Sequence, residues 1–508
     1  MRICVQKTTF NFIHKRLLTS SQRPRFLTFF SYTVIIALPI LGLTACMQDT
    51  LPNLAQPLPA NWQQHQADSV LPAPDLRNWW KAFNAPDLDA LVDQSLTQNL
   101  SLAAAREHIT SARILSKKNY SNFLPDLHFR TGDISSPSAT SSYFQASLDT
   151  TWELGLFGKK NASQQIADGQ FASVEAQSQM ARVTLVAEVV RTWVQLRTAQ
   201  HQVQLLDELL KKSQQQLTLT LTRIHLGLSA RSALLTINTM RAKQTEMRQS
   251  KQLEIDQALQ QLALLQGKTS SEPTWAVLTT QPVIDDFKLQ TLPVDVIRIR
   301  PDIQQAQANV LQSAGEFGLA RAARYPSINL SGSFIYSLLI LGQFTLHTFD
   351  DNSVAAVGPV IDMPLFDWGL RKAAADSRAS ELKAATLNYR QTVLEAVSEV
   401  ESSLAAVNSA KLRIDQQFEV MRLAKQALNV RDALINLGLS SPLEALDEQQ
   451  TTLQAQIDLS DMQMEHDLAY VAVYKALGGA SLDTPNGFKK DSADAKYPLT
   501  PSTHRQAS

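Results

Sequence analysis

Few residues in this 508-residue chain are of types and spacings that could do chemistry. Gly267-Lys268-Thr269-Ser270 has the tail of a phosphate-cradling loop, but the earlier glycine that loop needs falls at Leu262. No nucleophile elbow, paired zinc-histidine motif, dinucleotide fingerprint or Cys-x-x-Cys occurs. His201 and His225 lie on one long helix and His466 on another, scattered as on solvated helix faces, so no metal site and no cofactor is expected. The acids with the most suggestive placement are Glu444 and Asp447, three apart after Ser441-Pro442. Ser441-Pro442-Leu443-Glu444 reads as a capping box with proline at the first helical position, and acids there favour the helix dipole. Nothing in this inventory supports an enzyme.

The amino terminus reads as an address. Arg2, Lys7, Lys15, Arg16, Arg23 and Arg25 precede the apolar run Phe26–Leu43, and no acid lies in residues 1–46. A basic stretch, an apolar core and small residues before a cut mark an export signal. Leu43-Thr44-Ala45-Cys46 resembles a bacterial lipobox, which implies cleavage before Cys46 and lipid attachment to it. An uncleaved membrane helix is the alternative for a run of this length. The formal charge is zero overall, but beyond the leader 41 basic residues face all 47 acidic ones, a net of −6. No basic patch argues for nucleic acid. Cys4 and Cys46 are the only cysteines, so the exported chain cannot form an internal disulfide and must stand on packing.

The elements behind these residues are written twice. A leader (1–45) and a tether (46–86, rich in Pro, Gln and Asn over 47–75) are followed by a first unit, 87–267. It holds a helical pattern from about Asp87 to Asn119, a β-hairpin at 127–154, a long helix at 160–225 and a helix at 230–266. A polar linker spans 268–300. The second unit, 301–479, repeats the order, with a hairpin at 327–365, a long helix at 370–436 and a helix at 442–477, before a polar tail at 480–508. Ile303, Ala306 and Val310 match Leu102, Ala105 and Ile109 at a spacing of 201, and Pro326 matches Pro125. Beyond the hairpins the spacing becomes 211. There Leu226, Gly227, Leu228 and Ser229 recur as Leu437, Gly438, Leu439 and Ser440, and Gly267 recurs as Gly478.

In both hairpins the pattern has period two: Phe144, Ala146, Leu148, Thr150, Trp152 on one face, and Ile328, Leu330, Gly332, Phe334, Tyr336 likewise. Tilted strands of about ten residues suit a membrane barrel, though a half-buried soluble sheet shows the same alternation. The long helices carry a seven-residue ladder, Val189, Leu196, Val203, Leu210, Leu217 and Ile224, copied 211 residues later at Val400, Val407, Ile414, Met421, Leu428 and Ile435. A strict heptad keeps one seam on a partner helix and supercoils it. The two glycine turns are then where the chain reverses at the far end of a rod about 100 Å long. Four strands close no barrel and lipid tolerates no open edge, so strands that span a membrane must be pooled from several chains.

Asn78–Ala105, Arg300–Ile303, Ala323–Phe334, Gly358–Gly369, Leu437–Gln449 and Tyr474–Gly479 together resemble the outer membrane factor family of TolC and OprM type, in its lipoprotein branch. The resemblance implies a mixed, mainly α fold: a homotrimer with one twelve-stranded barrel in outer-membrane lipid, continuous with a periplasmic α-helical coiled-coil barrel. It implies a periplasmic adaptor and an inner-membrane RND-type pump as partners. The role implied is the exit duct of a tripartite efflux system that passes drugs or other small toxic molecules. The family closes its periplasmic end with acids after the second turn, which here are Glu444 and Asp447; Ala233 and Thr236 stand at the corresponding places of the first unit. Gly227, Leu228, Gly438 and Leu439 are the tips that would meet the adaptor. Trp152, Phe366 and Trp368 are candidate aromatics at the membrane interface. A type I secretion duct and a structural coiled-coil lipoprotein of the envelope are the other readings.

Overall fold

The computed structural model describes residues 51–59, 62–63, 76–135, 141–277, 281–282, 284, 300–341 and 353–479. The leader, Cys46, most of the 268–300 linker and the tail at 480–508 lie outside them. All described residues belong to one compact unit. Its elements are α1 (Pro86–Gln98), α2 (Leu100–Lys118), β1 (Asp126–Ser135), β2 (Ser141–Glu153), α3 (Lys159–His225) and α4 (Ser232–Leu265). They recur as α5 (Pro301–Ala322), β3 (Ser327–Leu341), β4 (Ser353–Asp362), α6 (Leu370–Asn436) and α7 (Pro442–Ala476). Among the described residues no helix is long and apolar enough to cross a membrane.

The strands form one antiparallel sheet in the order β1-β2-β3-β4. The two hairpins are therefore joined through β2 and β3, with Leu148 facing Phe334 and Trp152 facing Leu330. Among the described residues both outer edges, β1 and β4, have no strand beside them. Pleating puts alternate residues on opposite faces. One face carries Leu127, Phe129, Leu148, Leu330, Phe334 and Val357, all more than a third exposed.

α3 and α6 are each 67 residues, about 100 Å at helical rise. α3 packs against α4, α5 and α7, and α6 against α5 and α7. Each long helix opens on the same device. Gly158 and Gly369 cap them at φ 85° and 84°, preceded by Phe157 and Trp368 at φ 55° and 56°. A left-handed backbone at a bulky side chain is strained, and this strain is repeated 211 residues apart. At the far ends Leu228 N–H donates to Arg223 O at 2.8 Å and Leu439 N–H to Leu434 O at 2.9 Å, around Gly227 and Gly438 at φ 72° and 74°. These paired bonds satisfy carbonyls that a helix end leaves open, and glycine meets the backbone demand without strain.

Three sequence expectations change. The single helix expected over Asp87–Asn119 is two helices broken at Asn99, whose Oδ1 accepts from Leu102 N–H and whose Nδ2 donates to Leu265 O, both at 2.9 Å. One side chain thus caps α2 and ties it to the end of α4, and the bend lets α1 cover the core while α2 runs along α3. The tether read at 46–86 is not a tether throughout. A 3-10 turn at Trp79–Phe83 sinks Trp79, Trp80 and Phe83 into the main core, where Trp79 stacks on Tyr474 with ring centroids 5.4 Å apart. Leu54 and Leu58 pack on Ile303, Tyr389 and Val393. The linker also reaches that core through Trp275, held by Arg197, which donates to Trp275 O, Val277 O and Asp87.

The third change is the seam of α3. Val189 and Leu196 are fully buried, as the heptad ladder requires. Beyond them the buried stripe is Gln202, Leu209 and Gln216, one residue before the Val203, Leu210, Leu217 column, together with Leu206, Ser213 and Thr220, three residues after it. The heptad spacing holds, but the seam is half polar. Its side chains are joined across helices: Gln202 to Asp461 at 2.7 Å, Ser213 to Gln244 at 2.6 Å and Gln450 to Gln216 at 2.9 Å. On α6 the ladder at Val393, Val400 and Val407 is buried, while Ile414, Met421, Leu428 and Ile435 are half-buried.

Candidate functional site

The face of the sheet opposite the apolar one is polar over β1 and β2 and the start of β3, while at β4 it carries Val354 and Val360. His128, Arg130, Ser147, Asp149 and Ser333 lie on it by strand register. Asp149 accepts from Ser147 Oγ at 2.9 Å and Ser333 Oγ at 2.6 Å, and Arg130 lies 3.9 Å from it. His128 bonds Asp126 at 3.0 Å. Hydroxyls and carboxylates satisfying one another on one face, with leucine and phenylalanine exposed on the other, give a wall that can meet water on one side and hydrocarbon on the other.

The second place is the far end of the long helices. Glu444 and Asp447 do not sit as bare acids. Glu444 Oε2 accepts from Arg431 Nη1 at 2.8 Å and from Ser440 Oγ at 2.5 Å, while Arg431 also lies 3.4 Å from Glu448. The capping box expected at Ser441–Glu444 is not formed. Ser441 makes no side-chain cap bond, and the Glu444 carboxylate that would reach back to it is held by Arg431 instead. Asp447 Oδ1 accepts from Gln216 Nε2 at 2.6 Å, which ties α7 to α3. Burial raises the Asp447 carboxyl above its ordinary range, opposed by the Gln216 hydrogen bond and reinforced by the like charges of Glu448 and Glu444. Beside these contacts an open groove of about 540 Å³ is lined by Lys212, Leu219, Ile435, Pro442 and Leu446. At the tips Leu226, Leu228, Leu437 and Leu439 are 65–73 % exposed, four apolar knobs around Gly227 and Gly438.

The candidate aromatics separate. Trp152 is half-buried and its Nε1 donates to Phe123 O at 3.0 Å. Trp368 is 91 % exposed and Phe366 75 %, with ring centroids 4.8 Å apart. The counterpart of Trp368 in the first unit is Phe157, which shares its strained backbone and stacks on Tyr325 at 5.3 Å. Sequence reading passed over Phe157, Arg431 and Gln216; the 211-residue spacing was the signal for the first, and only packing brings the other two to the acids. Among the described residues no group of His, Cys, Asp or Glu could hold a metal ion.

Comparison with known proteins places this geometry. The family model described as "Outer membrane efflux protein" matches residues 91–268 and 292–479. The chain is 26 % identical over 474 residues to the pyoverdine export outer membrane protein OpmQ of Pseudomonas putida, covering 88 % of this chain and 97 % of that one. It is 26 % identical over 453 residues to the cation efflux system protein CusC of Escherichia coli, covering 86 % and 96 %. Among solved structures, the outer-membrane channel OprN is similar with a TM-score of 0.72 at 25 % identity, covering 85 % of this chain and 99 % of that one.

Proposed function

This chain belongs to the outer membrane efflux protein family, and from that premise we propose that it is the exit duct of a tripartite efflux system. Three copies pool their sheets into one twelve-stranded barrel, and their long helices continue it as a hollow α-helical barrel in the periplasm. The observation that carries this reading is the sheet itself. It is apolar on one face, polar on the other and open at both edges, at the head of two helices about 100 Å long. Lipid leaves no edge unpaired, so such a sheet must be closed by further copies. A structural coiled-coil lipoprotein would have no use for it.

The duct performs no chemistry on its cargo. A pump on another chain supplies the driving force and an adaptor couples the two, docking at the leucine knobs around Gly227 and Gly438. Cys46 is the lipid attachment point. Phe366 and Trp368 sit where the barrel hands over to the helices, at the level of the headgroups. The acids at Glu444 and Asp447 restrict the periplasmic end. Arg431 neutralises part of that ring, so the restriction rests on packing across the Gln216–Asp447 contact as well as on charge. The cargo is small toxic molecules. The names of OpmQ and CusC carry different cargoes, pyoverdine and cations.

The test is electron microscopy and light scattering of the purified protein in detergent, followed by conductance in a planar bilayer. Three-fold tubes that conduct are expected. Monomers or rods without a barrel would overturn the duct. Glu444→Ala with Asp447→Ala should raise single-channel conductance; unchanged conductance would remove these acids from the gate.

A further inference from the structure

The groove beside the Gln216–Asp447 contact has a polar end and an apolar end. Gln216 bonds Asp447, and Ser213 lies 3.4 Å from Gln450, so α3 and α7 run antiparallel where they meet. Lys212 on α3 and Gln449 on α7 therefore stand together at the end away from the tip. Leu219, Ile435, Pro442 and Leu446 line the end toward it. From Lys212 to Leu219 the helix advances about 10 Å. Lys212 is half-buried, and among the described residues no carboxylate pairs with it. Gln449 Oε1 is buried and accepts from no group of the chain. A buried acceptor without a donor carries a free-energy penalty that a donor brought by a ligand removes.

We infer that this groove binds a small amphipathic acid of the N-acyl amino acid kind. Its carboxylate is held by Lys212, its amide N–H donates to Gln449 Oε1, and its apolar acyl group, up to about 10 Å long, lies along Leu219, Leu446 and Ile435. Charge, hydrogen-bond sense and order along the groove select this class. A cationic amphiphile would set its charge against Lys212. An acid without an N–H would bring only further acceptors to Gln449 Oε1. A bare inorganic anion would gain nothing from the four apolar residues at the other end.

Such an occupant is coupled to the seam. It touches α3 on one side and α7 on the other, and parting the two helices takes Lys212 away from Gln449. A molecule that binds only the joined arrangement favours it. The Gln216–Asp447 contact lies on the same turns of both helices, so the ligand and that hydrogen bond hold the same stretch together. In the duct proposed above, binding therefore lowers the open fraction. The groove itself is built by one chain, and only its effect on conduction rests on the duct.

The probe is N-(2-naphthoyl)glycine, with binding to the full-length protein in detergent followed by the fluorescence anisotropy of its naphthyl group. Two analogues each lack one recognised group: the glycinamide has no charge and the sarcosine has no N–H. The parent should bind the glycine compound saturably, one per chain, and each analogue about tenfold more weakly. Lys212→Gln should erase the preference for the acid over the glycinamide. Gln449→Leu should erase the preference for the glycine over the sarcosine. Both positions are half-buried, and unchanged circular dichroism would show that the variants fold. No saturable binding, or preferences that survive these substitutions, would overturn the site. In a planar bilayer the same compound should lower the open fraction of the parent and not of Lys212→Gln. Binding at the groove without that effect, or an equal block of Lys212→Gln, would overturn the coupling. A protein that binds the probe with these preferences yet forms no conducting trimer would overturn the duct and leave the groove standing.

Discussion

Gln216 is the residue whose removal tests the gate most sharply. It lies buried in the α3 seam, donating to Asp447 at 2.6 Å and accepting from Gln450 at 2.9 Å, so it holds the first helical pair to the second at the tip. Gln216→Ala deletes both bonds. The Asp447 contact is part-buried, with the far side of the carboxylate in solvent, so it contributes about 0.5 kcal/mol. The Gln450 contact is buried, and its amide would be left with only the 3.4 Å contact from Ser213. Losing a buried bond and leaving a group unsatisfied costs about 1–3 kcal/mol. A total of about 2 kcal/mol per chain shifts the ratio of parted to joined hairpins roughly 30-fold. The distant Leu206, Leu209 and Ile457 cluster should keep the protein folded and assembled. In a planar bilayer the variant should show a higher open fraction and greater conductance than the parent, at an unchanged trimer mass. A trimer with parental conductance would refute the reasoning that this seam closes the duct.

Acid should tighten the same end. The Asp447 carboxyl is raised by its packed surroundings, so the joined arrangement favours the protonated form. That contribution is fully present at low pH and fades as pH rises through the raised value. Conductance should therefore fall as pH drops into the range just above an ordinary carboxylate, and Asp447→Asn should abolish the dependence. Gly315→Leu forces a side chain against Ala162 O and the Ile166 backbone and should cost about 3 kcal/mol or more, read as a lower dissociation temperature of the trimer in detergent. Gly438→Ala places a Cβ on a backbone at φ 74° and should cost about 1–2 kcal/mol, read as faster proteolysis of the α6–α7 tip. Cys46→Ser should abolish incorporation of labelled palmitate while the protein still requires detergent; a protein soluble without detergent would refute the barrel.

What the sequence made legible was periodicity and repetition. Gly227 and Gly438 mark reversals because only a turn needs that residue at that place in both units. The strands showed because their two faces meet different surroundings. The α3 seam was misplaced for a physical reason. Its buried stripe holds Gln202, Ser213, Gln216 and Thr220, whereas the neighbouring half-buried column holds Val203, Leu210 and Leu217, so apolar residues drew the eye to the wrong stripe. Hydrogen bonds across helices satisfy those buried polar groups, and no local pattern announces such partners. Asn99 is a similar case: its second role depends on Leu265, 166 residues away. At the tip, Glu444 and Asp447 could be named from the sequence, but Arg431 and Gln216 reach them only through the packing of α6 and α3 on α7.

The doubling of the unit within one polypeptide also breaks a symmetry. A ring of six single units would carry six identical tips, and any acid introduced at one would appear at all. Fusion in pairs lets alternate tips diverge. Glu444 and Asp447 stand on one kind and Ala233 and Thr236 on the other, so in the proposed trimer half the tips can specialise in closing while the other half is free to change for a different purpose. In the proposed trimer a single substitution then alters three positions around the mouth instead of six, which makes the aperture adjustable in finer evolutionary steps.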